Sequence, residues 1–241
     1  MSLRRYLIAG LKVEMNIKGK MLEARSEKYR FDFDGEPDIV IAPDENKLRL
    51  AWQECPNMSE QAVEYMSTGS IFYYRLLKFG GFMLHSSCIS YGDKAYIFSA
   101  DSGTGKSTHT TLWRQYLDGV TVINDDKPAV RLIGDRFYAI GTPWSGKTDQ
   151  NADIAIPVGG VALLYRGREN TIRPAQPSEA VPFLLRQTMF PSRPENTDLM
   201  TELLDKFLRS VPIYHLECDI SENAVRTSFE AMTKEKYIKR K

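Results

Sequence analysis

The chain has 241 residues, 42% of them hydrophobic, and its 32 lysine and arginine residues nearly balance 31 aspartate and glutamate residues. This length is enough to bury the core of one good-sized domain, and we find no linker or repeat in the sequence that marks a second one. A net charge of +1 provides no long-range field for polyanions, so neither nucleic acid nor a membrane is expected as a partner. We predict a single domain spanning residues 1–241.

The cysteines and the N-terminal sequence indicate the cellular compartment in which the protein is expected. Cys55, Cys88 and Cys218 lie far apart and form no CxxC pair, which argues against a disulfide framework and against a zinc site. The first apolar run ends at Lys12 and is too short for a signal peptide. These features predict a cytoplasmic protein.

Residues 1–57 are expected to be rich in antiparallel strands. Short apolar or alternating runs are separated there by turn signals such as Asp34-Gly35. From Ser59 the apolar spacing becomes helical, with Ser59 as the N-cap and a Gly-Gly pair at residues 80–81 as the end. The predicted N-terminal strands are residues 11–15, 29–33, 39–42 and 48–52.

Residues 82–165 form the predicted core. A hairpin leads directly into a glycine-rich loop, which is followed by a helix, a strand and a second hairpin. Residues 141–153, GTPWSGKTDQNAD, are rich in turn formers and predict a loop of functional length. The predicted elements of this core are strands at residues 82–90, 95–99, 120–124, 129–133, 137–140 and 160–165, and a helix at residues 108–117.

Residues 178–241 are predicted to be mainly helical. Helices are expected at residues 179–190 and 198–209 and after Ser221, with one strand at residues 213–218. Taken with the two hairpins, the pattern predicts an α/β fold in which a mixed, partly antiparallel sheet and flanking helices surround a phosphate-binding loop.

The loop ADSGTGKST, residues 100–108, carries the strongest functional signal. It resembles the phosphate-loop pattern G-x-x-x-x-G-K-[ST] between a strand and a helix, except that Ala100 stands where the first glycine is expected. A glycine-rich turn that merely caps a helix is the alternative. The predicted nucleotide-binding residues are Ser102, Gly103, Thr104, Gly105, Lys106, Ser107 and Thr108.

Each residue type in this loop suits phosphate chemistry. Glycines allow backbone N–H groups to turn towards phosphate oxygens, and the following helix contributes the positive end of its dipole. Lys106 would bridge the terminal phosphates, and the hydroxyl of Ser107 would be an oxygen ligand of Mg²⁺. ATP and Mg²⁺ are therefore the predicted cofactors.

A carboxylate partner for the metal is expected at the end of a neighbouring strand. Asp125 and Asp126 follow the predicted strand at residues 120–124 and meet that expectation. One carboxylate can hold metal while the other accepts a proton from the attacking hydroxyl, and we favour Asp126 for metal and Asp125 for base. An aspartate turn before Pro128 is the alternative.

Three segments, LHSSCIS, YIFSADSGTGKST and INDDKPAV, resemble HPr kinase/phosphorylase and its phosphoenolpyruvate carboxykinase-like fold in order and spacing. The resemblance covers about residues 82–165. It implies a mixed sheet and phosphoryl transfer from a nucleotide to a hydroxyl or a small acid. It assigns Lys106 and Ser107 to phosphate and metal, Asp125 and Asp126 to metal and base, and His85 to a place near the reacting phosphate.

Two departures from that family bear on the acceptor. Thr108 stands where HPr kinases usually carry an acidic residue, and their E-x-R-G signature is reduced here to Arg166-Gly167. The resemblance therefore does not extend to HPr itself as the acceptor.

Lys147, in the loop at residues 141–153, is a candidate for stabilising charge on the transferred phosphoryl group, with a solvated lysine as the alternative. Trp144 is expected to pack its own loop, and His109 and His215 are expected to be structural. We predict an ATP- and Mg²⁺-dependent kinase with an unknown hydroxyl-bearing acceptor, which is a small molecule, a peptide or a carrier protein. The alternative is a nucleotide-binding regulatory module without turnover, and the sequence leaves a homo-oligomer open.

Overall fold

Within residues 3–191 and 193–239, which the computed structural model describes, the chain forms two β-sheets and seven α-helices. The first sheet is N-terminal and has three strands, with β1 antiparallel to β2 and β2 parallel to β3. Its strands and the helices that follow or interrupt it are β1 (Arg4–Ile8), β2 (Leu11–Met15), α1 (Lys20–Ser26), β3 (Ile39–Ile41), α2 (Glu45–Glu54) and α3 (Glu60–Leu76).

Two of the four N-terminal strands predicted from the sequence are wrong. Residues 48–52 lie inside α2, which begins where the side chain of Asp44 accepts a hydrogen bond from the backbone N–H of Lys47. Most residues of α2 are good helix formers, and its short apolar run was too brief to distinguish a strand from a helix. Residues 29–33 end a 3-10 turn and then run as irregular chain.

The second sheet has nine strands in the order β4-β8-β9-β10-β6-β5-β7, with β12 beside β10 and β11 beside β12. Parallel and antiparallel pairs both occur, so the predicted mixed α/β architecture is confirmed. Its strands are β4 (Gly81–Met83), β5 (Ser86–Tyr91), β6 (Lys94–Ser99), β7 (Thr121–Asn124), β8 (Ala129–Ile133), β9 (Arg136–Ile140), β10 (Ala155–Arg166), β11 (Thr171–Pro174) and β12 (Ile213–Cys218).

The strand predicted over residues 82–90 is interrupted. β4 pairs with β8, whereas β5 pairs with β6 and β7, so the chain changes partners at Leu84 and His85. At this break the backbone N–H of His85 donates to the carbonyl of Gln187 at 2.8 Å, and Leu84 forms an isolated bridge with Thr188. Apolar patterning alone does not reveal a change of strand partner, because both halves are buried.

The four remaining helices cover the two faces of this sheet. They are α4 (Lys106–Tyr116), α5 (Pro177–Gln187), α6 (Pro194–Ser210) and α7 (Glu222–Thr233). Successive residues of β6 face opposite sides: Ile97 belongs to the cluster formed with α5 and α6, while Phe98 packs against Trp113 in the cluster of α4 and α7. None of the helices in the described ranges has the length and apolar character needed to cross a bilayer.

The directions of the strands bring the carboxyl ends of several of them to one edge of the sheet. β10 and β12 run parallel to β6, and β7 shares that direction because both β7 and β6 are antiparallel to β5. The carboxyl ends of these four strands therefore meet there, together with the start of β5. In open α/β sheets this is the edge where ligands bind.

Candidate active site

The glycine-rich loop joins the carboxyl end of β6 to α4. Gly103 and Gly105 have φ angles of 78° and 125°, which L side chains rarely adopt, so the loop requires glycine at both positions. α4 begins at Lys106 with Gly105 as its N-cap and without a side-chain cap. The N–H groups of its first turn have no acceptor inside the helix, and such a terminus attracts anions.

Lys106 lies against its own loop. It is 8% exposed, and its Nζ donates to the carbonyl of Ala100 at 2.9 Å. Burial lowers the pKa of this ammonium, while the charges of Asp126 and Asp101 act in the opposite direction. Two carboxylates are thus close enough to influence Lys106, whereas the neighbouring Ser107 is exposed in the first turn of α4.

Arg166 holds the loop from the end of β10. Its Nε donates to the carbonyl of Thr104 at 3.1 Å, and another guanidinium nitrogen donates to the carbonyl of Gly103. The sequence drew attention to Arg166 only as part of a reduced signature and assigned it no role. The register explains its position, because Leu163, three residues earlier, is paired with Ser99 at the start of the loop.

The chain turns sharply at the carboxyl end of β7. The buried Asn124 accepts hydrogen bonds from the backbone N–H groups of Asp126 (3.0 Å) and Lys127 (2.7 Å), which is an Asx turn. Its amide nitrogen donates to the carbonyl of Thr142 at 3.1 Å. The two aspartates therefore leave the extended strand and face different surroundings.

Asp125 faces the loop at residues 141–153. One carboxylate oxygen accepts from the backbone N–H of Gly146 at 2.6 Å, and the other accepts from the hydroxyl of Thr148. The residue is 8% exposed, and this burial raises the pKa of its carboxyl, although the Gly146 hydrogen bond opposes the rise. Asp125 thereby anchors the loop to the sheet edge.

Asp126 contacts His85 and Lys127. Its Oδ1 lies 3.4 Å from Nε2 of His85, and its other oxygen pairs with the ammonium of Lys127. Burial on its own would raise the pKa of Asp126, but the hydrogen bond to His85 and the charge of Lys127 outweigh burial and hold the pKa at about 2. This carboxylate is therefore ionised at neutral pH.

A further side chain connects His85 to the glycine-rich loop. Nδ1 of His85 lies 2.9 Å from Oε1 of Gln187, and Nε2 of Gln187 donates to Oδ1 of Asp101 at 2.9 Å. Gln187 is 6% exposed and lies at the end of α5. Sequence reasoning missed it because no local pattern relates it to His85, 102 positions earlier.

Lys147 is the predicted site residue that the structure leaves apart from the others. It is exposed, and no hydrogen bond or ion pair with another described residue holds its side chain. Its loop is nevertheless fixed from α1, because the guanidinium of Arg25 donates to the carbonyls of Ser145 (3.1 Å) and Gly146 (3.2 Å). Lys147 thus extends from a well-anchored loop.

Trp144 and His109 have structural contacts, as expected. Trp144 is 1% exposed, and its ring stacks on Phe72 with 4.8 Å between centroids. His109 is buried, with Nε2 at 2.9 Å from the hydroxyl of Ser228, and burial lowers its pKa to about 4.

Two cavities flank the glycine-rich loop. The larger, of about 580 Å³, lies at the carboxyl ends of β6, β10 and β12, between the first turn of α4 and the segment Cys218, Asp219 and Ile220. The smaller, of about 360 Å³, lies on the side of Tyr165 and Phe183, and Arg166 lines both. A third cavity, of about 590 Å³, lies among α1, α2 and α3 and shares no lining residue with the loop.

Comparison with known proteins gives a distant likeness among solved structures. No family model and no curated protein matches the chain. Among solved structures, the Hpr(Ser) kinase/phosphatase from Coxiella burnetii is similar over 63% of this chain and 93% of its own, with 9% identity and a TM-score of 0.34. A likeness of this size carries no argument, so we argue function from the residues of the site.

Proposed function

We propose that this protein binds ATP and Mg²⁺ at the glycine-rich loop and transfers the terminal phosphoryl group to a hydroxyl-bearing acceptor, within an HPr kinase-like fold. One observation carries the proposal: the uncapped start of α4 and the carboxylate of Asp126 occupy the same sheet edge, where the charge of Asp126 raises the pKa of Lys106 against the larger effect of burial. An anion site and an ionised carboxylate side by side are the parts that phosphoryl transfer needs.

The glycine-rich loop and the first turn of α4 supply the phosphate cradle. Backbone N–H groups bind the phosphate oxygens, and the ammonium of Lys106 leaves the carbonyl of Ala100 for the terminal phosphates. Arg166 donates hydrogen bonds to the carbonyls of Gly103 and Thr104 and so keeps these oxygens turned away from the phosphates.

Ser107 and Asp126 are the proposed metal ligands. A hydroxyl exposed in the first helical turn and a carboxylate with a low pKa are both oxygen ligands, the kind that Mg²⁺ prefers. When bound, the ion would neutralise charge on the phosphates.

Asp125 is the proposed base, and Lys147 the proposed electrophile. The acceptor hydroxyl oxygen forms a bond to the terminal phosphorus, the bond from that phosphorus to the bridging oxygen breaks, and ADP leaves. The hydroxyl proton passes to Asp125, whose oxygens retain free lone pairs beside the bonds from Gly146 and Thr148. The exposed Lys147 would meet the charge on the transferred group.

The 580 Å³ cavity supports a nucleoside as the rest of the ligand. Its volume falls in the range of small-molecule sites, and it adjoins the loop at the carboxyl ends of parallel strands. We propose that the base and ribose occupy it, between the start of α4 and Ile220.

A regulatory module that binds nucleotide without turnover is the second candidate. The contacts of Asp126 favour it, because both carboxylate oxygens already have partners in His85 and Lys127. Turnover requires that a metal ion displace or join these partners.

Phosphoryl transfer is tested by incubating the protein with γ-labelled ATP, Mg²⁺ and a lysate of its host, and ATP binding is measured by calorimetry. Lys106→Ala should abolish labelling and most ATP affinity, because it removes the ammonium that binds the terminal phosphates of the nucleotide. Lys206→Ala, on the exposed face of α6, is the matched control. Unchanged affinity in a folded Lys106→Ala variant would overturn the phosphate-loop assignment, and ATP binding without labelling would favour the regulatory module.

A further inference from the structure

We propose that Gln187 is a positioning residue of this site, which fixes the ring of His85 so that Nδ1 donates to the amide oxygen of Gln187 and Nε2 faces Asp126. The inference about ring orientation comes from the contacts of Gln187 alone. Its effect on turnover rests on the proposed phosphoryl transfer.

The two partners of Gln187 determine which way its amide points. Oδ1 of Asp101 belongs to a carboxylate, which accepts hydrogen bonds and cannot donate them when ionised. At 2.9 Å from Asp101 the amide of Gln187 must therefore present its NH₂ group. Its oxygen is left facing Nδ1 of His85, also at 2.9 Å, so Nδ1 must carry a hydrogen.

The backbone around His85 is fixed by the same segment. Its N–H donates to the carbonyl of Gln187 at 2.8 Å, and its carbonyl accepts from the hydroxyl of Ser99 at 2.8 Å. The ring is therefore held at the break between β4 and β5 by one residue through both its main chain and its side chain. A rotation of the ring by 180° would break the bond to Gln187.

This arrangement leaves Nε2 for Asp126. Nε2 lies 3.4 Å from Oδ1 of Asp126, next to the edge where the phosphoryl group would be transferred. Without the amide, the ring would exchange between flipped orientations, and Nε2 would face Asp126 for only part of the time. Because the amide also binds Asp101, the orientation of His85 is coupled to the glycine-rich loop itself.

Two substitutions separate this role from simple packing. Gln187→Met keeps the length of the side chain but removes both hydrogen bonds. Gln187→Glu still accepts from Nδ1 of His85 and loses only the donor to Asp101. Gln115→Met, on the exposed face of α4, is the matched control.

NMR of ¹⁵N-labelled imidazole rings shows whether Nδ1 of His85 carries a hydrogen, with the His85 signals identified by their loss in His85→Asn. The Nδ1 hydrogen should be protected from exchange with solvent in the wild type and in Gln187→Glu, and should exchange rapidly in Gln187→Met. If Gln187→Met does not fold, Asp101→Asn replaces it, because an asparagine that can donate or accept should relax the same restraint. An Nδ1 without a hydrogen in the wild type would overturn the proposal.

The kinetic test compares the effects of the two substitutions on kcat with their effects on KM. Gln187→Met should lower kcat by about 10 to 100-fold, the usual effect of removing a group that orients a functional side chain, and leave ATP affinity unchanged. Gln187→Glu should restore most of kcat while KM rises, because two carboxylates then face each other at Asp101. Equal losses of kcat in both variants, or none in either, would show that Gln187 does not act through His85. If the wild type transfers no phosphate, the proposed function fails, and the NMR result still decides whether Gln187 orients the His85 ring.

Discussion

The carboxylate of Asp125 accepts a hydrogen bond from the backbone N–H of Gly146 at 2.6 Å, so this aspartate anchors the loop at residues 141–153. Its neighbour Asp126 instead faces His85 and Lys127. Adjacent aspartates with such different surroundings should not be interchangeable.

Substitution by asparagine should therefore impair turnover at Asp125 and MgATP binding at Asp126. Asp125→Asn should leave MgATP binding intact and lower turnover by about 10² to 10⁴-fold, the usual contribution of a general base. Asp126→Asn should weaken MgATP binding because it removes a charged metal ligand. Calorimetry and transfer assays on both variants measure this difference. Wild-type behaviour in both variants would show that the aspartate pair has only a structural role in the turn.

Lys147→Ala should spare ATP affinity and slow phosphoryl transfer. Its side chain is exposed, so we expect it to act on charge that develops during the transfer rather than on the bound nucleotide. Affinity and turnover are to be measured beside Lys206→Ala. A parallel fall in both quantities, or no change in either, would contradict the role.

Arg25→Met should lower both stability and turnover, although Arg25 lies on α1 in the N-terminal portion. Its guanidinium binds the carbonyls of Ser145 and Gly146, and loss of hydrogen bonds from a charged donor costs about 1.5 to 3 kcal/mol. Urea unfolding gives the stability change, and kcat gives the effect on the loop. Full turnover in the folded variant would show that the loop keeps its position without this anchor.

Gly69→Ala should destabilise the protein, which is the reverse of the usual effect inside a helix. Alanine is normally favoured over glycine there by about 0.5 to 1 kcal/mol. A Cβ on Gly69, in α3, would however lie 2.8 Å from Cδ1 of Trp144, and forcing an extra methyl group into a packed core costs about 1 to 3 kcal/mol. The free energy of unfolding measures the sign. In a Trp144→Phe background, Gly69→Ala should lower the free energy of unfolding by less, since the smaller ring leaves room for the methyl group.

Glu179 should contribute a pH dependence to stability in the acid range. The hydrogen bond from Arg173, supported by the backbone N–H of Gln176, lowers the pKa of Glu179 to about 2 from its ordinary 4.5. A carboxyl whose folded pKa is depressed stabilises the protein above its unfolded pKa, and this contribution is lost as pH falls from about 4.5 towards 2. Thermal unfolding from pH 7 to pH 2 should therefore show a smaller decline in Tm for Glu179→Gln than for the wild type. Parallel curves would contradict the assignment.

The sequence predicted those parts of the site that lie within one short segment. The glycine-rich loop and the aspartate pair are each readable because their residues are neighbours in the chain and follow predicted strands. Gln187 and Arg166 were not assigned roles because they approach the loop through strand order and register, which a single sequence does not display. Helix α2, which contains residues 48–52, was missed for a different reason: it is a short, partly exposed segment whose apolar residues fit two periodicities.

Strand β10 connects the two halves of the nine-stranded sheet. Its first paired residues, Ala155 to Pro157, bond to β9, and its later residues bond to β6 on one side and β12 on the other. The same twelve-residue strand is therefore part of the ladders on both sides of the sheet, and neither side can lose it without disrupting the other. Local opening of the described sheet at this strand should consequently be cooperative, with slow amide hydrogen exchange at Val161 to Leu163, which are paired on both sides.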